Sequence, residues 1–195
     1  MTASRADKHV YLRDLHTGER NSLSVLVQLI APGARVLDLG TGSGALGHHL
    51  TTQQACTVDG VTYNEAEAAH ARPHYRRLEV ADLDAVDLAM LLAGETYDAI
   101  VCADVLEHLK APERVLAACQ ALLAPGGTLL ISIPNAAYCG LIGELLAGDF
   151  KYREEGLLDS THLRFFTRRS LLRFLSSAGW ATDKVDTITR ALTAS

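Results

Sequence analysis

Asp104-Val-Leu-Glu107-His108 brings three side chains that can bind a ligand or move a proton into five residues. Spaced three and four apart, Asp104, Glu107 and His108 would share one face of a helical turn. Two carboxylates and an imidazole so placed can hold a divalent metal. Alternatively His108 can act as a general base or touch a substrate, or the three can pair structurally. A second polar cluster, Asp159, Thr161, His162 and Arg164, interrupts an otherwise apolar region. It reads either as a site, with His162 as base or substrate contact, or as a brace holding the segment in place. The third candidate is Asp38-Leu-Gly40-Thr-Gly42-Ser-Gly44, with Ala45, Leu46 and Leu50 opening a helical pattern behind it. Glycines allow positive φ and let a ligand approach bare backbone, and a helix start offers unpaired N–H groups. That combination suits a nucleotide-like ligand.

These residues need a scaffold, and the apolar pattern supplies one. Val36, Leu37 and Leu39 form a short strand running into the glycine turn. Further strands are expected at Cys56 to Tyr63, Arg77 to Val80, Tyr97 to Ala103 and Thr128 to Ile133. Between them lie helical stretches. One is capped by Asn21 or Ser22 and carries Leu23, Leu26, Val27 and Ile30. Another is capped by Asn64, can carry Ala66, Ala69 and Tyr75, and bends or ends near Pro73. A third starts at Pro112 and carries Val115, Leu116, Ala118, Cys119 and Leu122. Regular alternation of strand and helix predicts a parallel sheet with helices on both faces. After Pro134 the alternation breaks. A helix-like stretch (Leu141, Ile142, Leu145, Leu146) is followed by a charged turn, and then by a helix capped by Thr167 and stopped by Gly179. Its buried face is expected to be Leu171, Leu172, Phe174 and Leu175. Trp180 to Ile188 can form a last strand.

The composition narrows the classes of function. The 195 residues, 48% hydrophobic, suffice for one domain over 1–195, with a helical segment at 1–33 and an insert at 134–166. A formal charge of −5 and no long basic run argue against a nucleic-acid partner. No stretch approaches the ~18 apolar residues of a membrane span, and the N-terminus has no apolar signal core, so a cytoplasmic location is expected. Cys56, Cys102, Cys119 and Cys139 are far apart and read as reduced, mostly buried thiols. Arg164, Arg168, Arg169 and Arg173 read as a solvated face of the last helix, with an anionic-substrate patch as the alternative.

The glycine loop satisfies two templates. Gly42-Ser-Gly-Ala-Leu-Gly47 matches the dinucleotide pattern G-x-G-x-x-G, which also wants an acid ~20 residues on. Asp38 with Gly40, Gly42 and Gly44 fills the other, an acid at a strand end followed by G-x-G-x-G. Here the chain resembles the class I S-adenosylmethionine-dependent methyltransferases. Ala81-Asp82-Leu83, Tyr97-Asp-Ala-Ile-Val-Cys-Ala-Asp-Val-Leu-Glu-His108 and Leu123-Ala-Pro-Gly-Gly-Thr-Leu-Leu-Ile-Ser132 follow at matching places, so the resemblance covers about residues 35 to 133. The stretch from Gly156 to Thr167 is similar to a subgroup containing ubiquinone-type O-methyltransferases, the methionine-biosynthesis W-type proteins and methyltransferases found beside glycan-assembly enzymes.

The resemblance implies a three-layer α/β/α Rossmann-like sandwich with a mostly parallel sheet. It implies S-adenosyl-L-methionine as cofactor, and methylation of an oxygen in a small-molecule or glycan acceptor. Asp38, Gly40, Gly42, Gly44, Asp82, Leu83 and Ala103 become cofactor-binding candidates, with Asp82 accepting from the adenine amino group. It also implies an acid after the second strand for the ribose hydroxyls. Thr62 stands in that place, with Glu65 close enough to reach in and Tyr63 able to pack on the adenine or to be core. Relatives place an insert such as 134–166 over the substrate site, and some hold a metal in an E-x-x-E-H arrangement. The superfamily adds a final antiparallel strand, which in a chain ending at Ser195 is expected to be short, missing or supplied differently. Two other functions remain: a methyltransferase-fold protein that binds the cofactor without turnover, and an NAD-dependent oxidoreductase, for which no hydride-site pair is evident.

Overall fold

The computed structural model describes Leu15, Gly18 and residues 20–188. In chain order these contain α1 (Ser22–Gln28), β1 (Arg35–Leu39), α2 (Ala45–Gln54), β2 (Thr57–Thr62), α3 (Glu65–Ala71), β3 (Arg77–Val80) and α4 (Leu88–Leu91). Then come β4 (Tyr97–Ala103), α5 (Pro112–Leu122), β5 (Leu123–Ser132), α6 (Cys139–Leu146) and α7 (Arg168–Ser177). The strands pair in the order β3-β2-β1-β4-β5, every neighbour parallel. Leu37 lies opposite Asp59 on one side and Ile100 on the other, so β1 is central.

Alternation along the strands divides the core into two layers. Val36, Val58, Ala99 and Val101 pack with Leu26, Val27 and Ile30 of α1, Leu46 and Leu50 of α2, and Ala68 and Ala71 of α3. Leu37, Leu39, Val61, Ile100 and Cys102 face the opposite way onto Leu88 of α4, Val115, Leu116 and Cys119 of α5, and Leu175 of α7. This is the expected three-layer α/β/α sandwich. Asp38 shares the α1–α3 side with Val36, and Thr62 shares it with Val58 and Gly60.

Local signals behave as their chemistry predicts. Asn21 caps α1 and Thr167 caps α7, each in a reciprocal capping box. Asn64 accepts from Ala66 N–H at the start of α3, and Pro112 opens α5. Several expectations need correcting. Ala66 and Ala69 are exposed, and α3 instead buries Glu67, Ala68 and Ala71. In α7 only Leu175 is fully buried, with Leu171, Leu172 and Phe174 half-buried. In α6 Leu141 is buried while Ile142, Leu145 and Leu146 are exposed. Trp180 to Ile188 forms no strand. Trp180 leans on the α5–α7 layer, and the polar run beyond it is tied back by Arg20, whose guanidinium donates to Asp186 at 2.7 and 2.8 Å. Cys56, Cys102 and Cys119 are buried, while Cys139 is exposed. No helix among the described residues is long and apolar enough to cross a membrane.

Candidate active site

All five strands run the same way, so their C-terminal ends meet at one edge of the sheet. β2 leaves β1 on one side and β4 on the other, which puts the topological switch point, and the crevice it opens, between β1 and β4. The glycine loop lies there. Gly40, Gly42 and Gly44 have φ of 79, 51 and 88°, the left-handed region that a side chain disfavours. The Gly40 and Thr41 amides donate to the Val61 carbonyl at 2.8 and 3.3 Å, pinning the loop to β2. A Cβ at Gly40 would run into Val105, and one at Gly44 would lie 2.7 Å from the Ala71 Cα. Beneath the loop Asp38 is buried, and the Tyr75 hydroxyl donates to its carboxylate at 2.6 Å. Burial pushes the Asp38 carboxyl up to about 6 against the opposing effect of that hydrogen bond.

At the end of β2, Thr62 donates to a carboxylate oxygen of Glu67 at 3.0 Å, both residues being buried. The acid close to Thr62 is therefore Glu67. Glu65 points outward, its carboxylate 3.9 Å from the Arg72 guanidinium. Tyr63 is 45% exposed, so it is not core. At the end of β3, Asp82 is exposed and accepts from the Asp84 amide at 2.9 Å, with Leu83 half-buried beside it. Asp84 in turn accepts from the Lys110 amide at 2.9 Å and the Ala111 amide at 3.2 Å, joining the turns that follow β3 and β4. Ala103 ends β4, half-buried.

The expected helical face of Asp104, Glu107 and His108 does not form. Asp104 has φ of 55°, which takes the chain out of helical geometry, and its carboxylate accepts from the Ser132 hydroxyl at 2.9 Å. Glu107 and His108 lie on a short 3-10 turn, Leu106–His108. Their third partner is His162. Ligand atoms of Glu107, His108 and His162 all lie within 4.8 Å of one another, and the two imidazoles meet edge to face at 4.7 Å between centroids.

The segment carrying His162 is strapped onto that turn. The Leu163 and Arg164 amides donate to the Glu107 carbonyl at 2.8 and 3.0 Å, and the Arg164 guanidinium donates to the Leu109 and Lys110 carbonyls. Thr161 donates its single hydroxyl proton to Asp159 at 2.7 Å, so its 3.0 Å contact with His108 Nδ1 assigns a donating Nδ1–H to that ring. His162 Nδ1 likewise donates to the Leu157 carbonyl at 3.0 Å. In the neutral form of either ring, that leaves Nε2 as the lone-pair nitrogen. Burial first, and then the neighbouring His162, hold the His108 imidazole below its ordinary range, which favours the neutral base. Two neutral imidazole nitrogens and a carboxylate form a donor set suited to a divalent transition ion.

Within the polar cluster at 159–164, Asp159, Thr161 and Arg164 brace the segment, and His162 stands beside Glu107 and His108. Sequence reasoning missed Glu67, Tyr75 and Asp84. For Glu67 a signal existed, because it shares the buried face of α3 with Ala68 and Ala71.

Residues 11–185 match the model of a family described as a methyltransferase domain. A ubiquinone biosynthesis O-methyltransferase of Burkholderia pseudomallei (strain 1710b) is 31% identical over 153 residues, 76% of this chain and 65% of that protein. One from Burkholderia thailandensis is 29% identical over 183 residues, 91% of this chain and 77% of that protein. The chain thus spans less than two thirds of the first relative's length. Among solved structures, the cyclopropane synthase MmaA2 of Mycobacterium tuberculosis superposes with a TM-score of 0.63 at 20% identity, covering 83% of this chain and 60% of that one. The cyclase SpnF superposes at 0.59 and 22% identity, covering 80% and 55%. At such identities the likeness is one of fold, and a fold hosts more than one reaction.

Proposed function

This chain belongs to the methyltransferase domain family, and we propose that it transfers a methyl group from S-adenosylmethionine to an oxygen of a small-molecule acceptor. The observation that carries the proposal is the left-handed glycine loop closed over a buried Asp38 at the switch point of the sheet. Asp38 and Gly40, Gly42 and Gly44 would receive the cofactor's amino-acid end and its close backbone contacts, together with the β4 terminus at Ala103. The Thr62–Glu67 pair would supply the ribose acceptor that relatives provide with one acid. Tyr63, Asp82 and Leu83 would line the adenine. That the relatives are ubiquinone biosynthesis O-methyltransferases supports O-methylation of a small molecule, and a glycan precursor is the other acceptor class consistent with the resemblance. The 134–166 insert, strapped to the Leu106–His108 turn, would cover the acceptor.

The chemistry asks little beyond alignment. The sulfonium is already an activated leaving group, so the acceptor oxygen attacks the methyl carbon in line, the S–CH3 bond breaks, and sulfur leaves as a neutral thioether. The acceptor's proton must go elsewhere. Neutral His108, with Nδ1 donating to Thr161, would take it on Nε2. His162 would hold the acceptor or share that role. The same trio supports a second reading, in which Glu107, His108 and His162 hold a divalent cation in place of the expected Asp104, Glu107 and His108. Such a cation would lower the pKa of an acceptor hydroxyl.

The test is release of S-adenosylhomocysteine when the chain is incubated with S-adenosylmethionine and a panel of hydroxylated small molecules. Release with one acceptor, lost in His108→Ala, is expected. Cofactor binding with no turnover on any acceptor would favour the non-catalytic reading, and binding of NAD(H) alone would contradict the cofactor assignment. Calorimetry with Mg2+, Mn2+ and Zn2+ separates the two roles of the trio. Binding that disappears in His162→Ala supports the cation, and no binding leaves His108 as the base.

A further inference from the structure

We propose that Tyr75 is the positioning residue of the cofactor loop, its hydroxyl aiming the Asp38 carboxylate and its ring setting where the loop closes. The inference rests on the cofactor reading above.

Tyr75 follows a 3-10 turn at Arg72–His74 and is buried 37 residues along the chain from Asp38. Its oxygen joins two parts of the site. It donates to Asp38 at 2.6 Å, and it lies against the first turn of α2, where a Cβ at Gly47 would come 2.6 Å from it. The hydroxyl is thus wedged between the buried acid and the start of the helix.

The ring does a second job. A Cβ at Gly60 would lie 2.8 Å from the Tyr75 ring, one at Gly44 would lie 3.3 Å away, and one at Gly47 would overlap it. Glycine at all three positions is what lets the ring sit under β2, the loop and α2 together. Gly47 has no positive φ, and the three atoms nearest its would-be Cβ all belong to Tyr75, so the ring demands glycine there; at Gly60 the ring shares that role with Thr41 and Leu78.

A carboxylate meant for a cofactor carrying a sulfonium and an ammonium must be ionised when the ligand arrives. Burial works against this, and the Tyr75 hydrogen bond works for it. The other titratable groups near this junction are the Cys102 thiol on β4 and the His48–His74 pair, whose Nδ1 atoms are 3.2 Å apart at the surface outside Gly47 and Tyr75. A probe that reads Asp38 itself is therefore needed.

Tyr75→Phe keeps the ring and removes the hydroxyl. In the cofactor-free chain the 13C titration of the Asp38 carboxyl should move up by about one pH unit. The Kd for S-adenosylhomocysteine should rise about ten-fold at pH 5 and about two-fold at pH 7, with no loss at pH 9. In an Asp38→Asn background the same change should alter Kd at pH 5 by less than about two-fold, since coupled residues are not additive. An unmoved titration, or an equal loss in both backgrounds, overturns the proposal. If Tyr75→Phe alone does not fold, the double variant, which lacks both ends of the bond, should fold. Failure of both shows that the hydroxyl matters for something other than Asp38 and also overturns it. A wild-type chain that does not bind S-adenosylhomocysteine sinks the cofactor reading, while the Asp38 titration still decides what Tyr75 does.

Discussion

Gly44→Ala perturbs the cofactor loop in a way whose cost can be worked from two sources. At φ of 88° a side chain is strained by about 1–2 kcal/mol. The new Cβ would also lie 2.7 Å from the Ala71 Cα and 2.8 Å from its Cβ. The first of these is backbone at the end of α3, so relief requires moving the helix, and overpacking of this kind costs about 1–3 kcal/mol. Together they predict about 2–5 kcal/mol, or roughly 5–15 °C in Tm for a chain of this size. Gly94→Ala is the control. Gly94 has φ of 85° but nothing within 4 Å of its would-be Cβ, so only the strain of about 1–2 kcal/mol applies. Thermal unfolding followed by circular dichroism, at several scan rates, measures both. S-adenosylhomocysteine binding should suffer in Gly44→Ala and be untouched in Gly94→Ala. Equal losses of Tm in the two variants, or wild-type binding by Gly44→Ala, would refute the close approach of loop and helix.

Asp38 predicts a pH dependence in the cofactor-free chain. Its folded value of about 6 lies above the ordinary 3.8, so its stabilising contribution is complete below about pH 4 and is lost as pH rises through 6, about 3 kcal/mol in all. Urea unfolding of Asp38→Asn should therefore gain on wild type by about that amount between pH 4 and pH 7.5, while cofactor binding weakens; a gap that does not change with pH contradicts this. At the ribose end, Glu67→Gln should raise the Kd for S-adenosylhomocysteine by about five- to ten-fold in calorimetry, because charge-assisted hydrogen bonds are the stronger kind. Thr62→Asp should lower Tm by setting two buried carboxylates together, and adding Glu67→Gln should recover it. Asp84→Ala removes the acceptor of the Lys110 and Ala111 amides and should lower Tm by about 2–6 °C, seen in the same thermal scans.

The layers of this fold were legible because a parallel sheet buried on both faces needs near-continuous apolar strands, and β1 and β4 have them. The glycine loop was legible for the same reason its conformation is: positive φ restricts the residue type. What the sequence hid was contact across long separations. His108 and His162 appear as two clusters, and only the strap from Glu107 to Arg164 makes them one. Asp104 looks like a member of a helical face until its left-handed φ removes it. Glu65 and Glu67 are equally acidic in the sequence, and the rotation of α3 decides that Glu67 is the one that meets Thr62. Tyr75 reads as a further position of the helix capped by Asn64, but that helix ends at Ala71, and nothing local marks the Tyr75 hydroxyl as the partner of an acid 37 residues earlier. The Trp180 to Ile188 stretch can read as a last strand, but most of it is exposed and it pairs with no described strand.

The central claim is that the loop between β1 and α2 holds S-adenosylmethionine, and ligand-dependent thermal stability tests it most directly. At about 100 times its Kd a ligand adds about 2.7 kcal/mol, or roughly 5–10 °C here. S-adenosylmethionine and S-adenosylhomocysteine are expected to raise Tm by that order, with no shift from NAD(H). A rise with NAD(H) and none with either sulfur compound would contradict the account.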